Sequence, residues 1–524
     1  MGRIAVIGAG MGAMAAAARL AVAGHRVTVY ERAETYGGGV GRFERDGFAF
    51  DTGPGLLPLP AVWRDLFVKT GKEPLEACVE LVQVDPSSRH VFADGTEVAL
   101  PNASRAGVVA ALDEALGAGA GGRWGDFLVR AREAWDRTRR PLLEEPLWPD
   151  WAVLAGREPY PAVPHKRLLR TRRAGTLAEV GAWELRDPRL TALLESHALA
   201  FGLDPRVTPA SAAVLPYLEH AFGTWYVRGG LRELARAVYE RCTARRVEFV
   251  FGAEVTGIVE KDGRAAGVEL AGGTSQAFGS GGGTVAEADF VVAGLHPARL
   301  HALTERQLDA AGDVSADLTA PCAGRFGVLL ALRGPREAGA AHRTVVHAPD
   351  REAELDWLHA RSDEPVPPTV TVRPTVTVRP TVTVLRPDDP DLRPDADHES
   401  AVVWATVPAR ADWSRPETRE RVADLVLAAA EAAIPGLRER LLWREVRTPL
   451  DGEEATGAPG GAVSAPALAA GQARFLHPAN TTRLPGLYRV GGWSHPGGGL
   501  PHAGMSGALV AGLIVEGPEF RGSQ

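Results

Sequence analysis

The chain has 524 residues, 45% of them apolar, and a formal net charge of −7. That length exceeds what one hydrophobic core normally organises, so two or three domains are expected, and the acidic balance argues against a nucleic-acid partner, whose phosphates need clustered Lys and Arg. No uncharged apolar run reaches the roughly 18 residues of a membrane span, and Cys78, Cys242 and Cys322, scattered and without C-x-x-C spacing, read as small buried side chains in a reducing, cytoplasmic setting rather than as a metal site.

Residues 4–31, IAVIGAGMGAMAAAARLAVAGHRVTVYE, predict a buried strand, a tight turn, a helix and a second strand. Gly8 and Gly10 permit the turn and a close approach of backbone to a pyrophosphate, and Ala13 fills the small third position of G-x-G-x-x-G/A, where helix and strand pack closely. The helix from Met11 points its first amides at the phosphates. Glu31 ends the second strand, placed for a ribose 2′-hydroxyl, with Arg32 beside it. A 2′-phosphate there would be repelled, so the adenosine half belongs to FAD or NAD. A signal peptide would also show Arg3, an apolar core and small residues, but not glycines at these offsets followed by a β–α–β pattern.

Thr35-Tyr36-Gly37-Gly38 follows the acid, and Gly47-Phe48-Ala49-Phe50-Asp51-Thr52-Gly53-Pro54 comes next. Residues 86–220 carry helical periodicity and few strand signals. Within them Arg137–Arg140 and His165–Arg173 are basic, with Trp148, Trp151 and Tyr160 between. Such a combination suits anionic lipid headgroups; a solvated charged face is the alternative. Trp225-Tyr226-Val227-Arg228-Gly229-Gly230 is a compact aromatic–glycine motif. Val247–Val259 alternates as a strand pair, Gly272–Gly283 is a hairpin tip by composition, and Ala288–Ala293 is a strand returning to the sheet. Residues 368–385 repeat a hexapeptide, PTVTVR, PTVTVR, PTVTVL, whose even period puts every Val on one face of an extended strand. One copy is expected to supply a sheet strand and the other two an insertion, since Pro368, Pro374 and Pro380 interrupt any longer ladder. Near the C-terminus, Leu487–Gly492 leads into His495-Pro496-Gly497-Gly498-Gly499-Leu500-Pro501 and Ser506-Gly507.

The N-terminal fingerprint, the second glycine pair, G-F-x-F-D-x-G-P, W-Y-x-R-G-G and the glycine-rich C-terminal segment occur in the order found in the phytoene desaturase (carotenoid desaturase) family, which the chain resembles throughout its length. Two departures stand out. Gly39 occupies the place of the family's Arg or Lys, with Arg42 a candidate substitute, and Gly294-Leu295-His296 replaces N-A-D.

The resemblance implies an α/β fold: a Rossmann-type FAD-binding domain of the glutathione-reductase/amine-oxidase kind, a discontinuous substrate domain and a helical subdomain. The segments would be 1–85, 221–300 and 476–524 for FAD, 86–220 for the helical part with its candidate membrane-contacting face, and 301–475 for substrate. It implies cofactor contacts from Gly8, Gly10, Ala13, Glu31, Arg32, Gly37, Gly38, Val255, Gly491, Gly492, Gly499 and Leu500. His495 becomes the candidate proton handler, with His502 second; a structural histidine bonded to backbone is the competing reading. The substrate would be an apolar isoprenoid or polyene, drawn from a membrane surface, with oxygen or a quinone as electron acceptor. An amine oxidase or saturase on the same fold is a second reading, though Gly491-Gly492 lacks the G-D flavin motif of amine oxidases. A non-catalytic prenyl-lipid carrier is a third.

Overall fold

The computed structural model describes residues 1–147, 151–165, 170–272, 284–304, 306–309, 323–359 and 378–522. Its first sheet is five-stranded and parallel, in the order Glu248–Val250, Arg26–Tyr30, Arg3–Ile7, Phe290–Ala293, Leu487–Arg489. Strands from both chain ends and from the middle therefore share one sheet. Period-two alternation explains its two buried faces. Ile4, Val6, Val27, Val29 and Val292 face the helices Met11–Val22, Leu231–Ala244 and Leu500–Val515, while Ala5, Ile7, Val291 and Ala293 meet the antiparallel strands Val255–Lys261 and Arg264–Leu270. The hairpin tip predicted at 272–283 falls almost wholly outside the described residues; Thr284–Glu287 resumes pairing with Arg264–Leu270 beyond it.

The second sheet has seven strands, in the order Leu441–Arg447, Ala323–Arg333, His398–Pro408, Val382–Leu385, Arg343–Val346, Ser88–Val91, Glu97–Leu100. Only the pairing of Arg343–Val346 with Ser88–Val91 is parallel among these. One face, with Phe326, Val328, Leu330, Val403, Ala405 and Val407, packs on Arg351–Leu358 and Pro416–Ala430. The third hexapeptide copy is the strand here: Val382 and Val384 enter that core and Thr383 points the other way. The first copy and most of the second lie outside the described residues.

The expectation of a helical region beginning at residue 86 needs correcting. Ser88–Val91 and Glu97–Leu100 form a hairpin at the edge of the second sheet. The alternation that drives it, Val98 and Leu100 buried between exposed Glu97 and Ala99, spans only four residues. Beyond it the chain is largely helical. Ala120–Arg139 buries Trp124, Phe127, Leu128, Ala131, Ala134, Trp135 and Thr138, one face of a 3.6-residue period, in a cluster with Pro188–Leu199 and Val214–Phe222. Among the described residues no helix is long and apolar enough to cross a membrane, and no group of three or more His, Cys, Asp or Glu could hold a metal. Cys242 is fully buried and donates to the Met14 carbonyl; Cys78 is half-buried, and Cys322 lies outside the described residues.

The helices Met11–Val22 and Leu500–Val515 cross at glycines. A Cβ on Gly507 would stand 2.7 Å from the Gly12 carbonyl oxygen and 2.8 Å from the Ala16 nitrogen, whereas one on Gly122, exposed in helix Ala120–Arg139, meets nothing within 4 Å. Gly507→Ala is therefore expected to cost about 1–3 kcal/mol through forced separation of the helices, and Gly122→Ala to gain up to about 1 kcal/mol. Chemical denaturation of both variants checks the contrast; equal stabilities would show the crossing can relax.

Candidate functional site

The turn after the first strand depends on Gly8, at φ +89°. Gly10 then begins the helix without a side-chain cap, and a Cβ built on it meets no protein atom within 4 Å. The first helical amides thus face open space, as anion binding requires. The second glycine pair closes on this turn: Gly37 donates its amide to the Ala9 carbonyl at 2.8 Å, and a Cβ on Gly38 would lie 3.1 Å from Gly10 Cα. Ala13 is buried, and a Cβ on Gly294 would come within 3.2 Å of its methyl, so the glycine that departs from N-A-D accommodates close packing. Glu31 accepts from the Ala9 amide at 2.6 Å and the Ala33 amide at 2.9 Å, which orients the carboxylate and leaves lone pairs for a ribose. Arg32 reaches over to the Glu454 carbonyl.

All twelve expected cofactor residues line one cavity of about 950 Å³: Gly8, Gly10, Ala13, Glu31, Arg32, Gly37, Gly38, Val255, Gly491, Gly492, Gly499 and Leu500. The open amides, the oriented carboxylate and the glycine walls fit the adenosine and diphosphate of FAD. Side chains to which the sequence assigned no cofactor contact hold these walls. Arg232 stacks over Tyr36 and donates to Thr35 Oγ1 and the carbonyls of Tyr36 and Val40. Asp51 accepts from the amides of Leu231 and Arg232, although burial pushes its pKa up to about 6. Asn480 donates to Ser506, whose hydroxyl in turn accepts from the Gly491 amide at 2.9 Å. Arg42 is on the cavity wall, bonded to Glu44 and the Gly229 carbonyl.

His495 is not on that wall. It is fully buried, its Nε2 donates to the Glu145 carbonyl at 2.9 Å, and burial lowers its pKa to about 4. The ring ties the C-terminal segment to residue 145 and has no path to a substrate, so the structural reading of this histidine replaces the proton-handling one. His502 does line the cavity, and burial takes its pKa to about 3, leaving a neutral imidazole.

Beyond the cradle the cavity continues as a slot between the second sheet and the helices Pro188–Leu199 and Val214–Phe222. Its floor is the sheet face opposite the helical core: Arg325, Trp404, Thr406, Thr383, Leu385, Arg343, Val345 and His90. Trp404 lies over Gly327, whose Cβ would meet its ring at 2.3 Å; glycine inside a strand marks such a close approach. Arg325 stacks over Trp404 at 5.4 Å, and its guanidinium has no hydrogen-bond or ion-pair partner among the described residues. Burial lowers its pKa to about 10, so it remains cationic at neutral pH. Burial pushes Glu219 up, but Arg343 and His197 outweigh it and hold the carboxylate well below its usual range.

The basic region departs from the expected membrane face in two respects. Tyr160 is fully buried and donates to Glu184, so it belongs to the core. Arg137, Arg139 and Arg140 pair with Glu133, Glu144 and Glu145, while Arg172 stacks on Trp183. Trp148 and residues 166–169 lie outside the described residues.

The sequence profile of the flavin-containing amine oxidoreductases matches residues 14–515. The chain is similar to a 4,4'-diapolycopene oxygenase of a Methylomonas species, at 28% identity over 98% of each chain. It is also similar to the neurosporene-forming phytoene desaturase of Rhodobacter capsulatus, at 28% identity over 99% of this chain and 95% of that one. Among solved structures, an oxidoreductase from Methanosarcina mazei shares the fold at TM-score 0.62 and 18% identity, covering 97% of this chain and 99% of that chain. The open space at Gly10 yields a direct test. Gly10→Val should weaken FAD binding about a hundredfold, a loss of roughly 2.7 kcal/mol, without unfolding the protein. Glu31→Gln should cost about 1.5 kcal/mol as one charged acceptor is lost. Flavin absorbance per protein, with circular dichroism alongside, reads both; tightly bound flavin in Gly10→Val would refute the cradle.

Proposed function

The chain belongs to the family of flavin-containing amine oxidoreductases, and from that premise we propose that it is a phytoene desaturase-like enzyme acting on an apolar isoprenoid or carotenoid. It is an FAD-dependent oxidoreductase. The overall change removes two hydrogens from adjacent carbons, one as hydride and one as a proton, and leaves a C=C bond. When bound, FAD supplies the hydride acceptor.

The observation that carries this reading is the continuity of the dinucleotide cradle with the slot. One cavity has Glu31 and Gly10 at one end and Leu199, Phe201, Leu215, Leu218, Val345 and Trp404 along the other. The apolar walls hold an extended chain and exclude water. Gly324, beside Arg325, packs on Gly460, and Ser464 of the following segment bonds to the Gly492 carbonyl, so the Arg325 end of the slot adjoins the C-terminal glycine segment. Arg325, whose guanidinium has no partner among the described residues, speaks against amine oxidation: a substrate ammonium beside it would meet a like charge in a site of low dielectric. A neutral polyene meets no such barrier.

The same proposal takes oxygen or a quinone as electron acceptor, because the sequence carries a single dinucleotide fingerprint, and it takes the substrate from a lipid surface, where such molecules dissolve. Arg139 and Arg140 keep 52% and 67% of their side-chain surface exposed. At about 1 kcal/mol per cation near an anionic membrane, Arg139→Glu with Arg140→Glu should clearly lower co-sedimentation with anionic vesicles. Unchanged sedimentation would remove this surface from the proposal.

Anaerobic mixing tests the chemistry. Phytoene or a shorter polyene is expected to bleach the flavin of the purified protein. Val345→Trp, which fills the slot away from the cradle, should keep its flavin and slow bleaching roughly a hundredfold by displacing the substrate. Bleaching by a primary or secondary amine and by no polyene would establish amine oxidation instead.

A further inference from the structure

The charges of the cavity wall do not cancel. Arg299 pairs with Glu254 and Arg343 with Glu219, while Arg32, Arg42 and Arg232 donate to carbonyls. Arg325 and Arg447 lie on the same wall, and neither guanidinium has a hydrogen-bond or ion-pair partner among the described residues. The remaining wall carboxylates are engaged elsewhere. Glu31 accepts from the Ala9 and Ala33 amides, Glu354 from the amide and hydroxyl of Thr381, and Asp451 from those of Thr448. Burial alone lowers the Arg325 pKa, so no carboxylate among the described residues stands near enough to raise it.

Sheet register sets both cations on one face. Gly327 is opposite Trp404 on one neighbouring strand and opposite Arg447 on the other, and Arg325 is two residues from Gly327 on its own strand. Residues opposite each other or two apart share a face, and diagonal neighbours such as Arg325 and Arg447 are about 7–8 Å apart. Leu329, four residues beyond Arg325, is level with Val402 and Leu385, and Leu385 meets Gly55, where a Cβ would stand 2.5 Å from its Cδ1. Arg325 thus stands at one edge of the floor, roughly 13 Å along the strands from that contact. Trp404, Thr383 and Val345 line the floor between. A hydrocarbon filling this slot would strip water from two guanidiniums and return nothing.

We infer that the substrate carries a carboxylate at one end of its apolar chain, received by Arg325 over the Trp404 ring with Arg447 beside it. This rests on the desaturase reading above and narrows its substrate class to isoprenoid or polyene acids. The guanidinium fork presents parallel N–H donors that match the two oxygens of a carboxylate. The indole face supports Arg325 without using those donors. An alcohol, ester or aldehyde accepts a hydrogen bond there but brings no charge, so the cation stays uncompensated in a water-poor site.

A linear polyene acid, its methyl ester and the parent hydrocarbon can be titrated at mildly alkaline pH, in one detergent, into the flavin-loaded protein. The polyene absorption shift reads binding and flavin bleaching reads reaction. The acid is expected to bind at least about tenfold more tightly than its ester. Arg325→Met should bring that ratio toward one. Because it removes an uncompensated charge, it should also leave the melting temperature of the substrate-free protein equal or higher. A fall in that temperature would show the guanidinium engaged within the protein and overturn the site. Equal binding of acid and ester by the unmutated protein, with the hydrocarbon bleaching the flavin, would overturn the carboxylate site and leave the desaturase reading standing. Failure of all three to bind or bleach would overturn both.

Discussion

The structure depends on several chain segments meeting backbone to backbone around the first turn of helix Met11–Val22. Gly10 faces open space, Gly38 approaches Gly10 Cα, and Gly12 lies against Gly491 and the Ala503 carbonyl, where a Cβ would come within 2.8 Å. A Cβ at Gly12 would clash with backbone, and one at Gly38, whose φ is +57°, would have to push Gly10 aside. The amides of that turn stay free for an anion only because the neighbouring segments contribute backbone rather than bulk. From this follows the discontinuous chain path: segments near residues 10, 38 and 491 must reach one point. The parallel sheet, drawing strands from residues 3, 26, 248, 290 and 487, brings them there.

The second sheet solves a different problem with the same alternation. Its 326, 328 and 330 side chains bury against helices, so 325, 327 and 329 are left for the opposite face. Such a face would normally pack solidly. Here Gly327 lowers the floor so that Trp404 lies flat, and Arg325 is set over the indole rather than over a carboxylate. Two of the cavity's arginines illustrate how burial separates roles. Arg343 is compensated by Glu219 and helps bind a wall together, whereas the Arg325 guanidinium has no ion-pair partner among the described residues and stays cationic over the indole.

Legibility in the sequence followed the distance over which each feature is encoded. The G-x-G-x-x-A turn, Glu31 and the alternating strands are local, and they are in register in the structure. That one hexapeptide copy would form a strand was readable from valines recurring at period two, but which copy was not, since all three alternate alike and only the fold selects Val382–Leu385. Arg232 closing on Tyr36, Asn480 anchoring Ser506 and Arg343 bound to Glu219 join residues 196, 26 and 124 positions apart, and nothing local distinguishes them from surface polar residues. His495 misled for the converse reason. Its glycine-rich neighbours do reach the cavity, but the ring turns to the Glu145 carbonyl across a sequence separation of 350. The 88–100 hairpin was hidden by brevity, since four alternating residues are outweighed by the helical periodicity that follows.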